Sequence, residues 1–306
     1  MIRAALRRLR RGLRPRALLD ALLTYPRFLG TIKPALLGKS EVEFRARLAS
    51  LGGAWWPRTL ECPVGRRILV IAPHPDDETI GAGGLLLRHR GVAQVHLLNV
   101  FTGDGGGRLE DGEWSSTPEY RSRLVARRRE ELREAATRLG VASIHHLELP
   151  DGTTEPDPRH ARRVRELLEA IDPDVVLLPW MLDAQPDHRL TNVLYASAAA
   201  GRGALVLAYE VWSQLPRPNA ALDISEQLDE KLEIVRLFRT QTATVDYENL
   251  CIGLARLRGF QLGVRPDRSG AAEAFMVLPS GDYCELVRSL YGSAENLSAE
   301  GRRLLA

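Results

Sequence analysis

The chain has 306 residues, of which 44% are hydrophobic and 26% charged, a composition typical of a globular protein with a full hydrophobic core. Its three cysteines are odd in number and far apart, which excludes a disulfide framework and a zinc ribbon and favours a reducing compartment. No apolar run approaches the roughly 20 residues of a membrane-spanning helix, and the start lacks the long apolar core of a secretory signal. We therefore expect a cytoplasmic protein.

The formal net charge of +3 is unevenly distributed. Residues 1–40 contain ten Lys or Arg residues and one acidic residue, which leaves 32 basic and 38 acidic residues in the remainder. Residues 1–60 are predicted to be a basic helical extension, and residues 61–306 the main domain. Apolar and arginine residues repeat at helical spacing within residues 2–14. Such a basic amphipathic helix suits a peripheral contact of residues 1–40 with an anionic membrane surface, and equally suits a solvated arm. No nucleic-acid partner is expected.

From about residue 63 onward, short apolar runs alternate with amphipathic segments. The runs predict strands at Ile68–Ala72, Val95–Phe101, Ile144–Leu149, Val175–Pro179 and Ala204–Val211. Helices are predicted at Leu85–Arg90, Glu119–Leu139, Arg159–Ile171, Leu190–Ala200 and Ser225–Arg239. This alternation predicts a Rossmann-like α/β fold, with a mainly parallel sheet and helices on both faces.

Four ionisable side chains directly follow the first predicted strand, in the run His74-Pro75-Asp76-Asp77-Glu78. Such groups are costly to desolvate beside a buried strand, and a divalent cation would compensate them. Histidine nitrogen and carboxylate oxygen suit Zn²⁺, which in catalytic sites keeps one position open for water. Since adjacent carboxylates cannot easily both face one metal, one is predicted to bind it and the other to act as general base. The alternative is a polar loop in which Asp76 or Asp77 caps a helix.

A second polar cluster, with Asp183, Asp187 and His188, follows the strand predicted at Val175–Pro179. In open α/β sheets, ligands bind outside the carboxyl ends of the strands, where both clusters would lie. His188 can therefore supply a third metal ligand, although a lone histidine at such a place is more often a surface or capping residue.

These residues resemble a known family, the PIG-L/LmbE-like zinc-dependent N-deacetylases, which remove acetyl groups from N-acetylglucosamine-type amides. The resemblance covers roughly residues 67–275, and its most specific element is the HPDDE run in a strand–loop–helix context. Supporting elements are Thr102-Gly103-Asp104, Arg128-x-x-Glu131-Leu132, Leu149-Pro150-Asp151-Gly152 and Asp187-His188.

The resemblance implies a role for each matching residue. His74, Asp77 and His188 would bind one zinc ion per chain, or another divalent metal in its place. Asp76 would be the general base that activates the metal-bound water. The substrate would be an N-acetylated sugar or glycoconjugate, with a lipid-linked sugar, a thiol-precursor glycoside, a polysaccharide unit and an antibiotic sugar all open.

Arg128 and Asp151 would, by the same resemblance, hold the sugar hydroxyls. Arginine offers a fork of donors, and aspartate accepts hydrogen bonds from hydroxyls. The alternative for Arg128 is an ordinary solvated helix charge, because Arg127 and Arg129 flank it.

One departure from the family pattern is Gln185, which stands where the family commonly has the first histidine of His-x-Asp-His. In the family, that histidine is thought to stabilise the tetrahedral intermediate and to protonate the leaving amine. Gln185 can donate a hydrogen bond to an oxyanion but cannot deliver a proton at neutral pH, so another acid such as Asp76 would have to do so. Asp187, which would orient that histidine, is left without an evident partner. Asp76, Gln185 and Asp187 are the predicted catalytic residues.

The sequence therefore predicts a metal-dependent hydrolase that removes acetyl from an N-acetylated amino sugar. Three alternatives stay open: a metal-dependent amidase on a non-acetyl amide, a carbohydrate-binding homologue weakened by Gln185, and a nucleotide-binding Rossmann protein. The last is prompted by Gly81-x-Gly83-Gly84, but the acidic turn before it would repel phosphate.

Overall fold

The computed structural model describes residues 57–110, 114–155, 157–199, 203–263 and 270–291. The predicted basic helix and the predicted membrane contact of residues 1–40 lie outside these ranges. The predicted domain boundary after residue 60 therefore stays a prediction. Within the described part of the chain, none of the helices combines the length and the apolar character that crossing a bilayer requires.

The described residues form strands and helices in alternation. The strands are β1 (Arg58–Thr59), β2 (Arg67–Ala72), β3 (Gln94–Phe101), β4 (Val141–Leu149), β5 (Val175–Pro179), β6 (Leu205–Tyr209), β7 (Ala220–Asp223) and β8 (Ala272–Pro279). The helices are α1 (Asp77–His89), α2 (Pro118–Leu139), α3 (Pro158–Ile171), α4 (Pro186–Ala198), α5 (Leu228–Val235), α6 (Arg239–Thr242), α7 (Tyr247–Leu262) and α8 (Ser280–Tyr291).

The strands form one sheet in the order β1-β7-β8-β6-β5-β2-β3-β4. Strand β8 runs antiparallel to β6 and β7, and the other neighbouring pairs are parallel. This confirms the predicted mainly parallel sheet. The chain leaves β2 toward β3 and β4 and later returns on the other side of β2 with β5 and β6. The carboxyl ends of β2 and β5 therefore flank a topological switch point, where open α/β sheets bind ligands.

Two groups of helices cover the sheet. Helices α1, α2, α5 and α7 pack against one another, and α3, α4 and α8 form a second packed group. Strand β5 is buried along its whole length, and β2 is buried from Ile68 to Ala72, as expected for parallel strands covered on both faces. The predicted helices on both faces are thus confirmed.

Several predicted boundaries differ from the structure. Helix α1 begins at Asp77 rather than Leu85, and α4 begins at Pro186 rather than Leu190. Both helices have polar first turns that a search for apolar periodicity passes over, and proline at the first helical position of α4 is pre-organised for a helix start. The helix predicted at Ser225–Arg239 is shorter in the structure and spans Leu228–Val235.

Candidate active site

Three side chains converge in a cleft at the carboxyl ends of β2 and β5. Asp77 Oδ2 lies 3.3 Å from His74 Nδ1 and 3.1 Å from His188 Nε2. Asp77 begins α1, and His188 lies in the first turn of α4. His188 is fully buried, and His74 is only 8% exposed. The structure brings together the three residues that were predicted to bind a metal ion.

The chemistry of these donors fits a divalent cation. Both ring nitrogens of His188 are buried, and neither forms a well-aligned hydrogen bond among the described residues, although carboxylate oxygens of Asp77 and Asp183 lie 3.1 and 3.4 Å from them. Leaving such a buried group unsatisfied is costly, so the arrangement needs a partner for Nε2. Donor atoms that bind a tetrahedral zinc ion at about 2.0–2.2 Å lie roughly 3.3–3.6 Å apart, near the 3.3 and 3.1 Å that separate Asp77 Oδ2 from the nitrogens of His74 and His188. Nitrogen and carboxylate donors at these separations can therefore hold a divalent cation.

A carboxylate lies behind each histidine. Asp187 Oδ2 lies 3.0 Å from His74 Nε2, which leaves His74 Nδ1 to face Asp77. Asp183 Oδ1 lies 3.4 Å from His188 Nδ1, and its other oxygen accepts a hydrogen bond from the amide of Trp212. Carboxylates in this place orient metal-binding histidines and fix their tautomers. Asp187 thus has a partner in His74, and Asp183 lies where it could position His188, a place that its sequence pattern did not reveal.

Asp76 occupies the N-cap position of α1, but its side chain makes no capping hydrogen bond. Its backbone has a φ of +139°, a conformation that costs on the order of 1–3 kcal/mol in residues other than glycine. The carboxylate is buried, and its Oδ2 lies 3.4 Å from Arg128 Nη2. Burial raises the pKa of Asp76 well above its usual range, although the Arg128 guanidinium opposes the rise. A strained, buried carboxylate with a raised pKa beside the predicted metal ligands suits a general base.

The pKa values of the neighbouring His74 and Asp77 are shifted by the groups around them. Burial lowers the pKa of His74, but hydrogen bonds with Asp187 and Asp77 outweigh it and raise that pKa to about 10. Burial raises the pKa of Asp77, but the neighbouring rings of His188 and His74 outweigh it and hold that pKa well below its usual range. These directions favour an anionic Asp77 beside a protonated His74.

Arg128 and Asp151 lie in the cleft, but both have partners within the protein. Arg128 donates to the carbonyls of Gly103 and Pro75, each at 3.0 Å, and is only 3% exposed. It is therefore not an ordinary solvated helix charge. The two carboxylate oxygens of Asp151 accept hydrogen bonds from the amides of Gly103 and Gly105. Both side chains hold the loop that follows β3, and their contact with sugar hydroxyls stays a prediction.

Two aromatic residues that no local pattern singled out form one wall of the cleft. The rings of Trp212 and Tyr247 meet edge to face with centroids 5.9 Å apart. Trp212 is 46% exposed, although its backbone is fixed to the buried Asp183. The one available signal was position, because Trp212 follows the carboxyl end of β6, at the same edge of the sheet as both polar clusters.

The cleft has a volume of about 480 Å³, which is the size of a small-molecule site. All three predicted catalytic residues, Asp76, Gln185 and Asp187, line it. Gln185 is the N-cap of α4, and its backbone N–H donates a hydrogen bond to Asp183 Oδ1 at 3.0 Å. The arrangement can hold a cation, take a proton from water at Asp76 and offer a hydrogen bond from Gln185.

Comparison with known proteins identifies the family of the chain. The family described as "PIG-L: GlcNAc-PI de-N-acetylase" matches residues 69–199. Diacetylchitobiose deacetylase from Thermococcus kodakarensis is 32% identical over 196 residues, which cover 58% of this chain and 70% of that protein.

Two solved structures share the fold. The N,N'-diacetylchitobiose deacetylase from Pyrococcus horikoshii has a TM-score of 0.59 and 24% identity, and the match covers 72% of this chain and 86% of that one. The 4-carboxy-2-hydroxymuconate hydratase from Pseudomonas putida has a TM-score of 0.58 and 23% identity, with 70% and 96% covered. Because both identities are low and the two names describe different reactions, these structures show the fold alone. The sequence similarity to the Thermococcus protein and the match over residues 69–199 show that the chain belongs to the PIG-L family.

Proposed function

We propose that the protein is a zinc-dependent deacetylase that removes acetyl from an N-acetylated amino sugar. The observation that carries the proposal is the convergence of His74, Asp77 and His188 beside the strained, buried Asp76. Membership of the PIG-L family supports the same reaction.

When bound, zinc would activate a water molecule and polarise the acetyl carbonyl. Asp76 takes the proton that this water loses as its oxygen attacks the carbonyl carbon, and burial helps the carboxyl group keep that proton. Gln185 donates a hydrogen bond to the oxyanion that develops on the carbonyl oxygen. As the carbon–nitrogen bond breaks, Asp76 returns the proton to the leaving amine. The products are acetate and the free amino sugar.

The sugar class is supported by the cleft wall and by a relative. The exposed ring of Trp212 offers a flat apolar surface beside polar groups, which suits the apolar face of a sugar ring. The Thermococcus relative is named for its action on diacetylchitobiose, an N-acetylated sugar.

The test is a product screen with full-length protein, added zinc and a panel of N-acetylated sugars. Both the new amine and the released acid are measured, because a hydratase shares this fold. Equal release of amine and acetate supports the proposal. Release of a different acid from non-acetyl amides favours the amidase alternative, and no cleavage of any N-acyl sugar contradicts the proposal.

A second candidate, a carbohydrate-binding homologue with weakened catalysis, is favoured by the glutamine at position 185. It predicts that the sugars bind but turn over very slowly. Restoring histidine at this position separates the two candidates, as argued below.

Removal of a metal ligand is expected to abolish zinc binding. In His188→Ala the buried Asp77 keeps one histidine partner instead of two, and the tetrahedral donor set is incomplete. We expect the zinc content after dialysis to fall from about one per chain to near zero, and acetate release to fall with it. Elemental analysis checks this, with His160→Ala, a histidine on α3 outside the cleft, as the matched control. Full zinc content in His188→Ala would contradict the site.

Zinc binding is expected to release protons and to tighten as the pH rises. His74 has a pKa of about 10 in the metal-free site, so it is protonated at neutral pH, whereas a zinc ligand must be neutral. Between about pH 7 and 9, each zinc ion should displace about one proton, and the apparent affinity should rise roughly tenfold per pH unit. Calorimetry in buffers of different ionisation enthalpy measures the released protons. An affinity independent of pH would contradict the expected state of His74.

A further inference from the structure

Helix α1, which carries Asp77 into the proposed metal site, is broken near its middle. Ala82 has φ −141° and ψ 15°, which separates a first segment, residues 77–81, from a second, residues 83–89. A break of this kind removes the helical partners of the carbonyls before it and of the amides after it. Those groups are buried here and need other partners.

A buried ion pair supplies the missing partners. Lys231 Nζ, on α5, donates to the carbonyl of Ile80 at 2.8 Å and to Glu273 Oε1, on β8, at 2.7 Å. The two carboxylate oxygens of Glu273 accept the amides of Gly84 and Leu85, both at 2.8 Å. The side chains of Lys231 and Glu273 are 3% and 4% exposed. Lys231 therefore satisfies a carbonyl at the carboxyl end of the first segment, and Glu273 satisfies two amides at the amino end of the second.

The glycines after the HPDDE run make room for this pair. A Cβ atom at Gly83 would lie 3.2 Å from Lys231 Cγ. A Cβ atom at Gly84 would lie 3.1 Å from Glu273 Oε1 and 2.5 Å from Ile224 Cγ2. The Gly81-x-Gly83-Gly84 pattern, which prompted the nucleotide-binding alternative, thus has a packing explanation.

We propose that Lys231 and Glu273 are positioning residues for the metal site, an inference that rests on the proposed zinc site. The pair holds Ile80, whose amide donates to the carbonyl of Asp76 at 2.9 Å, so it fixes the short segment that begins with Asp77. Buried ion pairs are weak sources of stability compared with apolar residues of similar volume. Here the pair joins α5 and β8 to the one turn of helix that carries both the predicted base and a metal ligand.

The experiment compares full-length Lys231→Met, Glu273→Gln and Arg258→Met with the unmodified protein. Arg258 forms a similarly buried ion pair with Glu210, between α7 and the residue after β6. Glu210 borders the same cavity as Ile80, but among the described residues the other hydrogen bonds of this second pair go to Leu215 and Gln261 and not to α1. Zinc affinity is measured by competition with a chromophoric chelator, and thermal stability by the unfolding midpoint. Acetate release gives kcat and KM.

The proposal predicts that all three variants unfold at lower temperature, but that only Lys231→Met and Glu273→Gln bind zinc about 10- to 100-fold more weakly. In these two, kcat should fall while KM for the sugar stays close to its original value. If both variants keep their zinc affinity and lose stability only as Arg258→Met does, the pair has a purely structural role. That result would overturn the proposal.

Gly83→Ala keeps the test decisive if the charge variants fail to fold. Its Cβ atom would displace Lys231 by a few tenths of an ångström without removing a charge. Zinc affinity should then fall severalfold, and an unchanged affinity would overturn the proposal. Because zinc affinity needs no turnover, a protein that binds zinc but cleaves no sugar would refute the deacetylase function without affecting this result.

Discussion

Replacing Asp76 with Asn is expected to lower kcat for acetate release by about 10²- to 10⁴-fold while zinc content stays near one per chain. Asparagine has nearly the same shape but cannot take a proton from water. Asp76 is not one of the three converging metal donors, so the metal site should survive the change. Its side chain makes no capping hydrogen bond, so α1 should keep its start as well.

The matched control is Asp174→Asn, the same chemical change at the amino end of β5, on the opposite edge of the sheet. Asp174 accepts hydrogen bonds from the amides of Arg66 and Arg67 and does not line the cleft. Its kcat should stay within about twofold of the original, because it touches no reacting group. Turnover in Asp76→Asn equal to that of the control, at full zinc content, would remove Asp76 from the mechanism.

The fold and the proposed metal ligands were predictable because their signals are local. The apolar runs at β2 and β5 identify buried strands, and ionisable residues directly after each strand lie at one edge of a parallel sheet. His74 and Asp77 are three residues apart, and His188 follows β5 closely. The chain alone therefore indicated that three donors would meet, and a family resemblance indicated which ones.

What escaped prediction depends on contacts between distant segments. Lys231 and Glu273 each look like ordinary charged residues in sequence. Only the packing of α5 and β8 against α1 brings them to the break in that helix, where they bond its free carbonyl and amide groups. The contact of Asp183 with the Trp212 amide likewise joins the ends of two strands. The antiparallel β8 was missed because it does not continue the alternation of strand and helix that marked the other strands. Helical and strand periodicities describe faces within one element and carry no information on such partners.

Replacing Gln185 with His is expected to raise kcat by roughly 10²-fold, at the lower end of the range for an added general acid. The backbone at this position is already fixed, since its N–H donates a hydrogen bond to Asp183 and the next residue, Pro186, begins α4. A histidine can therefore enter without rebuilding the loop. The gain in kcat should be limited because Asp187, the expected partner of that histidine, already has two partners. It lies 3.0 Å from His74 Nε2 and accepts a hydrogen bond from the backbone amide of Gly152.

The pH dependence of kcat in Gln185→His shows whether the new histidine acts as a general acid or only changes the shape of the cleft. A histidine that protonates the leaving amine must itself be protonated, so kcat of Gln185→His should fall as the pH rises through about 6.5–7, a limb that the unmodified protein lacks. Gln185→Ala is the companion variant, and it should lose about 10²-fold if the amide stabilises the oxyanion. Turnover that appears only in Gln185→His would identify the natural protein as the weakened, carbohydrate-binding homologue. If neither variant changes kcat while zinc and sugar still bind, the side chain at position 185 does not reach the reacting carbonyl, and Asp76 alone carries the proton from water to amine.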